Sequence, residues 1–439
     1  VSASVSDFLL LSYYWPPSGG AGVQRWLKYT RYLAEMGSHP TVVTVDPNQA
    51  SFPVQDSSLL RDVHAGVRVV HTPSFEPLRL YQRVNQQREL PYAGFANEGK
   101  VGVLQHISRF IRGNLFIPDP RRGWNQYALA AACRIIEEQG LRTLITTSPP
   151  HSTQLIGLAL KKRYPHLRWI ADLRDPWTGI YYYRKFHHTP LARALDARYE
   201  RRVLEQADHL LVVSKHILQG FQTKTPVSLS EKCSIIPNGY DPADFSEVGS
   251  VPPQTGPLRL AYTGTLAASY RLSGLCKALE EVCHQYGAVH VCITGSADDA
   301  SVAALRAVPG LQLQLEGHVP HSASIKRLAM ADALLLVIPD IPDNLGILTG
   351  KLFEYLASQK PILAIGPNGG EALEIVEECA AGKGFYYDDA MGMKNYLINL
   401  IQLKSAGLLL PNPSNAYQRF SRVAQAEQIA ALLVPSTTS

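Results

Sequence analysis

The most constraining feature of this chain is an alternation. Short apolar runs of strand length are each followed by a segment whose apolar residues repeat at helical spacing. Residues 8–13, 41–45, 67–71, 141–146, 167–172 and 209–213 form one such series. After the first run, Val23, Trp26, Leu27 and Leu33 mark a helix over 23–36. The series pauses at a turn-forming cluster, IIPNGYDP at 235–242, and a proline-rich segment follows, VPPQTGP at 251–257. A second series then runs through 258–263, 289–294, 311–316, 333–338 and 361–365. This order predicts two α/β domains built on parallel sheets. We place the first over 1–245 and the second over 246–413, linked near 251–257. A final helix near 414–434 is expected either to cap the second domain or to cross back to the first.

Composition bounds the rest. A chain of 439 residues, 46% hydrophobic and 18% charged, can bury two ordinary cores and is not a disordered polymer. No apolar run approaches the roughly 18–20 residues of a membrane span. The first residues carry no basic, signal-like segment, so a cytoplasmic location is expected. Six cysteines without CxxC or zinc-type spacing read as reduced thiols and predict no metal site. The net charge of +5 is unevenly placed. Residues 1–235 hold 29 Lys and Arg against 18 Asp and Glu, whereas 236–439 hold 13 against 19. A basic first half suits an anionic partner: a membrane surface, a phosphorylated acceptor or, last because no motif supports it, nucleic acid. Residues 100–122 sharpen the membrane expectation. Lys100, Arg109, Arg112, Arg121 and Arg122 are interleaved there with Val103, Leu104, Ile107, Phe110, Ile111, Leu115 and Phe116. The stretch reads as an interfacial basic helix or as a core-packed helix with a solvated basic face.

Seven loops carry candidate chemistry. In LTGKLFEYLASQKPILA at 348–364, Thr349 and Gly350 sit where a helix would begin and Lys351 lies in its first turn. A helix start offers unpaired N–H groups and partial positive charge, which suit a phosphate. Glu354, one turn on, could accept hydrogen bonds from ribose hydroxyls. Gly264 and Thr265 follow the first strand of the second series, where Gly lets a backbone approach a ligand. Gly295 and the pair His318–Val319 end two further strands of the same sheet. Arg271 and Lys351 are the cations nearest to where a leaving phosphate would need them. In the first half, YYWPPSGGAGVQR at 13–25 places Gly20 and Gly22 between strand and helix. A dinucleotide fingerprint fails there, because the loop is too long and Arg25 takes the third glycine's place. TTSPPHS at 146–152 puts His151 at a strand's carboxyl end, and ADLRDPW at 171–177 puts Asp172, Arg174 and Asp175 at the next. These three charged residues could fix the loop by ion pairing, or Asp175 could orient an acceptor hydroxyl.

The segment EYLASQKP at 354–361 resembles the donor signature of glycosyltransferase family 4, whose enzymes have the GT-B fold: two Rossmann-like domains facing a cleft. The glycine loop before Arg25 and the placement of His151 are similar to that family as well. The resemblance implies a nucleotide diphosphate-sugar donor, no required metal or cofactor, and retention at the anomeric carbon. It also implies that Glu354 holds the ribose, that His318 and Val319 border the base, and that His151 contacts the donor sugar. Family members often carry a further glutamate eight residues before this one; here that place is Gly346, with Asp340 and Asp343 nearby. The basic first half points to a lipid-linked or polysaccharide acceptor. Two other readings compete: a nucleotide-sugar epimerase on the same fold, and a non-catalytic nucleotide-sugar-binding protein.

Overall fold

The computed structural model describes residues 5–76, 103–246 and 255–433. They form two compact units. One takes the chain up to Pro237 and again from Arg422; the other is Asn238–Ser421. Most of the proline-rich segment expected as a linker lies outside the described residues.

The first unit is built on a seven-stranded parallel sheet: β1 (Leu9–Leu11), β2 (Thr41–Val45), β3 (Arg68–Thr72), β4 (Thr143–Ser148), β5 (Arg168–Leu173), β6 (His209–Val212) and β7 (Cys233–Ile235). Their order is β3-β2-β1-β4-β5-β6-β7. Strands β1, β2 and β4 are buried at every residue, because helices cover both faces of a parallel sheet. The helix Arg422–Leu433 packs on Ala21–Glu35 in this unit, and Ala426, Ile429 and Leu433 join the core beneath that helix.

The second unit repeats the pattern with six strands: β8 (Leu258–Leu266), β9 (Val289–Ala297), β10 (Leu311–Glu316), β11 (Ala333–Val337), β12 (Ile362–Gly366) and β13 (Gly382–Tyr386). The order is β10-β9-β8-β11-β12-β13. In both sheets, strand order reverses beside the unit's own first strand, between β1 and β4 and between β8 and β11. Ligands of doubly wound sheets bind outside the strand carboxyl ends at such a reversal. The loops after β1 and β4, and those after β8 and β11, carry Gly20, His151, Arg271 and Thr349 of the sequence-predicted site residues. Each unit is thus a Rossmann-like domain.

Two strands run further than their apolar runs suggest. Gly264 and Gly295 pair across β8 and β9, where loops were expected. At Gly295 (φ +125°) a Cβ would lie 2.3 Å from the Gly264 carbonyl oxygen, so a side chain there would break the ladder. Among the described residues no helix is long and apolar enough to cross a membrane, and no group of three His, Cys, Asp or Glu could hold a metal ion.

Candidate functional site

In the second unit the site is built around the helix Gly350–Ala357, which follows β11. Lys351 and Tyr355 lie one turn apart on the face toward β8. The Thr263 amide donates to Tyr355 Oη at 2.9 Å, and Lys351 Nζ donates to Tyr262 Oη at 2.6 Å. The helix start is thereby fastened to the strand that carries Gly264. A Cβ at Gly264 would lie 3.5 Å from Lys351 Nζ, so the ammonium sits directly over this glycine (φ +102°).

The start of this helix is electrostatically incomplete. Thr349 occupies the cap position with extended backbone, yet its side chain caps nothing. Its Oγ1 is buried without a partner among the described residues. Orphan amides at a helix start and a buried hydroxyl both favour an added acceptor. Lys351 has no ion-pair partner among the described residues; its Nζ lies 4.1 Å from the centroid of the Tyr262 ring and 5.7 Å from that of Tyr270. Burial pushes this ammonium down to about 7, against a smaller upward pull from Glu354. A cation held in this way is completed by an anion.

Glu354 is not sealed by packing: its side chain is 26% exposed. It accepts a hydrogen bond from His321 Nε2 at 3.0 Å, and His321 Nδ1 lies 3.9 Å from Asp244 Oδ2. His321 opens the helix His321–Met330 after β10 and was not singled out in the sequence. His318 and Val319 lie on the same loop, exposed and half-buried respectively. Thr265 is exposed, and its Oγ1 accepts from Ser296 Oγ at 3.2 Å across the β8–β9 ladder.

Arg271 behaves differently from Lys351. Its guanidinium is exposed, donates to Asp388 Oδ1 at 2.7 Å and pairs with Asp340 Oδ2 at 3.5 Å. Asp340 is therefore engaged, and Asp343 is exposed. Gly346 is buried and supplies no carboxylate.

In the first unit, Gly20 (φ +96°) precedes the helix Ala21–Glu35. Gly22 lies against Arg174: a Cβ there would be 3.0 Å from both terminal nitrogens of the guanidinium. Arg174 Nη1 donates to the Gly22 carbonyl and Nε to the Ser148 carbonyl, each at 3.0 Å, and so ties the start of the helix after β1 and the end of β4 to the loop after β5. Arg25 is fully buried against Asp172 at 3.1 Å. Asp172 also accepts from Trp26 Nε1 at 2.7 Å and Thr147 Oγ1 at 2.8 Å. With all its ligands internal, Asp172 is part of the scaffold.

His151 directly precedes the helix Ser152–Arg163, whose first amide donates to Asp119 Oδ2 at 2.7 Å. Its ring stacks on Trp177, and its Nδ1 is buried without a partner. Burial holds this imidazole at about 3, reinforced by Lys224 and Arg174, so it is neutral at physiological pH. Asp175 is half-buried; burial raises its carboxyl and Arg174 opposes this. It forms no hydrogen bond among the described residues.

The basic stretch at 100–122 differs from a simple cationic stripe. The helix is Val103–Leu115, and residues 100–102 lie outside the described residues. Arg121 is buried and donates to the Ser51 carbonyl at 3.1 Å, while Arg112 stands 4.9 Å from the centroid of the Phe186 ring. These two guanidiniums are drawn inward by carbonyl and aromatic partners. Phe110, Ile111 and Leu115 are exposed instead.

This architecture has known counterparts. A glycosyltransferase from Rickettsia africae aligns with TM-score 0.59 at 12% identity, covering 98% of this chain and 99% of that one. Sucrose-phosphate synthase from Thermosynechococcus elongatus gives 0.59 at 16%, covering 97% and 98%. The HepE protein of Anabaena, solved with UDP, gives 0.58 at 13%, covering 98% and 99%. The family model for Glycosyltransferase Family 4 matches residues 91–244. The chain has the GT-B fold. No curated protein matches it in sequence. In this GT-B chain the family match falls mainly on the first unit, whereas the helix start with Lys351 and Glu354 lies in the second, beyond the matched residues.

Proposed function

We propose that the chain is a retaining glycosyltransferase. Its second unit binds a nucleoside diphosphate-sugar, and its first unit binds a lipid-linked or polysaccharide acceptor. The single observation that carries this reading is the Lys351 ammonium, which has no ion-pair partner among the described residues, beside an uncapped helix start and the unpartnered Thr349 hydroxyl. A diphosphate completes all three. Glu354 then takes the ribose hydroxyls in exchange for His321, with His318 and Val319 bordering the base. Gly264, Thr265 and Gly295 form the floor beneath the phosphates.

In the transfer step the bond from the anomeric carbon to the phosphate oxygen breaks, and the bond to the acceptor oxygen forms on the same face. The departing phosphate oxygen receives the acceptor proton. Lys351 offsets the charge that grows on that oxygen. Neutral His151 hydrogen-bonds a hydroxyl of the donor sugar, and Asp175 orients the acceptor hydroxyl. Arg271 stands by as an outer cation, released only if Asp388 and Asp340 let go. The exposed Phe110, Ile111 and Leu115, on a half-chain rich in cations, support peripheral contact with an anionic membrane on its cytoplasmic side.

Gly346, where a sugar-facing carboxylate would stand, favours a second reading: nucleotide-sugar binding without transfer. Turnover separates the two. Purified chain is incubated with a panel of nucleoside diphosphate-sugars, with and without polyprenyl-phosphate-linked glycans, and released nucleotide is measured. Release that is lost in Glu354→Ala and His151→Ala supports the transferase; release unchanged in both variants refutes the site. Binding without release across the panel supports the second reading.

A further inference from the structure

The first unit holds a group of buried polar residues that the reading above does not use. Asp196, in the helix Pro190–Gln206, is buried beneath the loop after β5. Its Oδ1 accepts from Trp177 Nε1 at 2.8 Å, and its Oδ2 accepts from Tyr183 Oη at 2.9 Å. One turn further along the same helix, Glu200 accepts from the Thr178 amide at 3.2 Å and pairs with Lys224 at 2.7 Å. Two carboxylates four residues apart thus fasten both the indole edge and the backbone beside it to one helix. Trp177 is 2% exposed and has little room to turn.

The face of this immobilised indole lies on His151. The ring centroids are 4.8 Å apart and the planes differ by 11°. The backbone of His151 is set by the Gln154 amide on its carbonyl at 3.0 Å. Neither ring nitrogen, however, forms a hydrogen bond among the described residues. Aromatic pairs in such contact gain about 0.5–1.5 kcal/mol beyond burial, enough to bias one ring orientation severalfold.

We propose that Trp177, held at its edge by Asp196, is a positioning residue for His151: the indole face sets the plane of the imidazole and thereby the direction in which Nε2, the ring nitrogen that is not sealed by packing, meets a ligand hydroxyl. That the hydroxyl belongs to the donor sugar rests on the functional reading above; the stacking and its consequences do not. The same face shields the ring from water. With Lys224 and Arg174 as the charged groups acting on it, His151 stays uncharged. It acts as a fixed neutral hydrogen-bonding group, and proton transfer is left to the phosphate.

The test is nuclear magnetic resonance of the full chain labelled in its 14 histidines, with the His151 signals assigned by their loss in His151→Asn. In the unmodified chain the carbon-bound ring protons of His151 are expected upfield, shifted by the indole, with no titration between about pH 5 and 8. Trp177→Leu should abolish the upfield shift and raise the His151 midpoint by at least about one pH unit. Trp177→Phe, which keeps an aromatic face, should retain most of both. Unshifted ring protons in the unmodified chain overturn the proposal without any variant. So does a folded Trp177→Leu chain with unchanged His151 titration, or a Trp177→Phe chain that behaves like Trp177→Leu. In turnover assays Trp177→Leu should lower kcat at least about tenfold with donor KM nearly unchanged, the pattern of a contact made mainly in the transition state. If the magnetic resonance results hold but no donor is turned over, the positioning role stands and the functional reading fails.

Discussion

Replacing Lys351 by Met should make the protein more stable when empty and worse at binding a nucleoside diphosphate. The first effect follows from burial. Lowering an ammonium from 10.5 to about 7 corresponds to about 5 kcal/mol at roughly 1.4 kcal/mol per pH unit. The sign follows from linkage. The unfolded chain binds this proton more tightly than the folded one, so the penalty is complete below about pH 7 and fades as pH rises toward 10.5. Methionine removes the penalty and keeps most of the apolar stem. Tyr262 loses only an incoming bond, because its own hydroxyl donates to the Thr265 carbonyl at 2.7 Å. Thermal unfolding at pH 7 without ligand should therefore rise by roughly 10–20 °C, at about 2–4 °C per kcal/mol for a unit of this size. The second effect is the loss of a charge-assisted bond to phosphate, about 1.5–3 kcal/mol, or roughly 10- to 150-fold in Kd. A third signature links the two. Binding should draw a proton onto Lys351, so calorimetric titration with UDP in buffers of different ionisation enthalpy should show nearly one proton taken up at pH 8. Little uptake is expected at pH 6, where the empty site is already protonated, and none in Lys351→Met. A variant that binds as tightly as the parent, or a parent that takes up no proton at pH 8, would refute the reasoning.

Four further outcomes are expected. Glu354→Gln should weaken nucleoside diphosphates at least about tenfold while leaving inorganic pyrophosphate nearly unchanged, because only the ribose contact is lost; competition binding measures this. Arg271→Ala should change nucleotide affinity less than about threefold and leave the unfolding transition nearly unchanged, since its ion pairs are exposed. Asp172→Asn should destabilise the first unit by about 3–5 kcal/mol in urea titrations, because it leaves Arg25 buried and unpaired. Asp196→Asn should gain stability relative to the parent between about pH 4 and 7 and keep that gain at about pH 8.5. Burial raises the Asp196 carboxyl from 3.8 to about 7, so the parent loses stability as pH rises between those two values.

The strand series was legible because a parallel sheet covered on both faces demands short, continuous apolar runs, and β2, β4 and β11 satisfy that demand residue by residue. β7 and β13 escaped notice. CSI and GKGFY have little apolar character of their own and are strands because β6 and β12 supply ladder partners. β8 and β9 outran their apolar runs because two facing glycines let the ladder continue. At the site, a cap residue, a glycine and a first-turn lysine announced the helix start. The partner of Glu354 could not be read in the same way. His321 lies 33 residues away, and only the packing of two helices brings it within reach. The partners of Arg271 were hidden for the same reason. Asp388, which holds its guanidinium, is 117 residues further on and invisible to local pattern. Asp172 drew attention as one of three charges in ADLRDPW, yet its ligands Arg25 and Trp26 come from the first helix and make it structural.

The most direct measurement is a crystal structure of the full chain with UDP, or with whichever nucleoside diphosphate most raises its melting temperature. The account predicts phosphate oxygens on the Gly350 and Lys351 amides and on Lys351 Nζ, with Glu354 turned from His321 to the ribose hydroxyls. A nucleotide seated elsewhere, with Lys351 still bonded only to Tyr262 and Glu354 still held by His321, would contradict it.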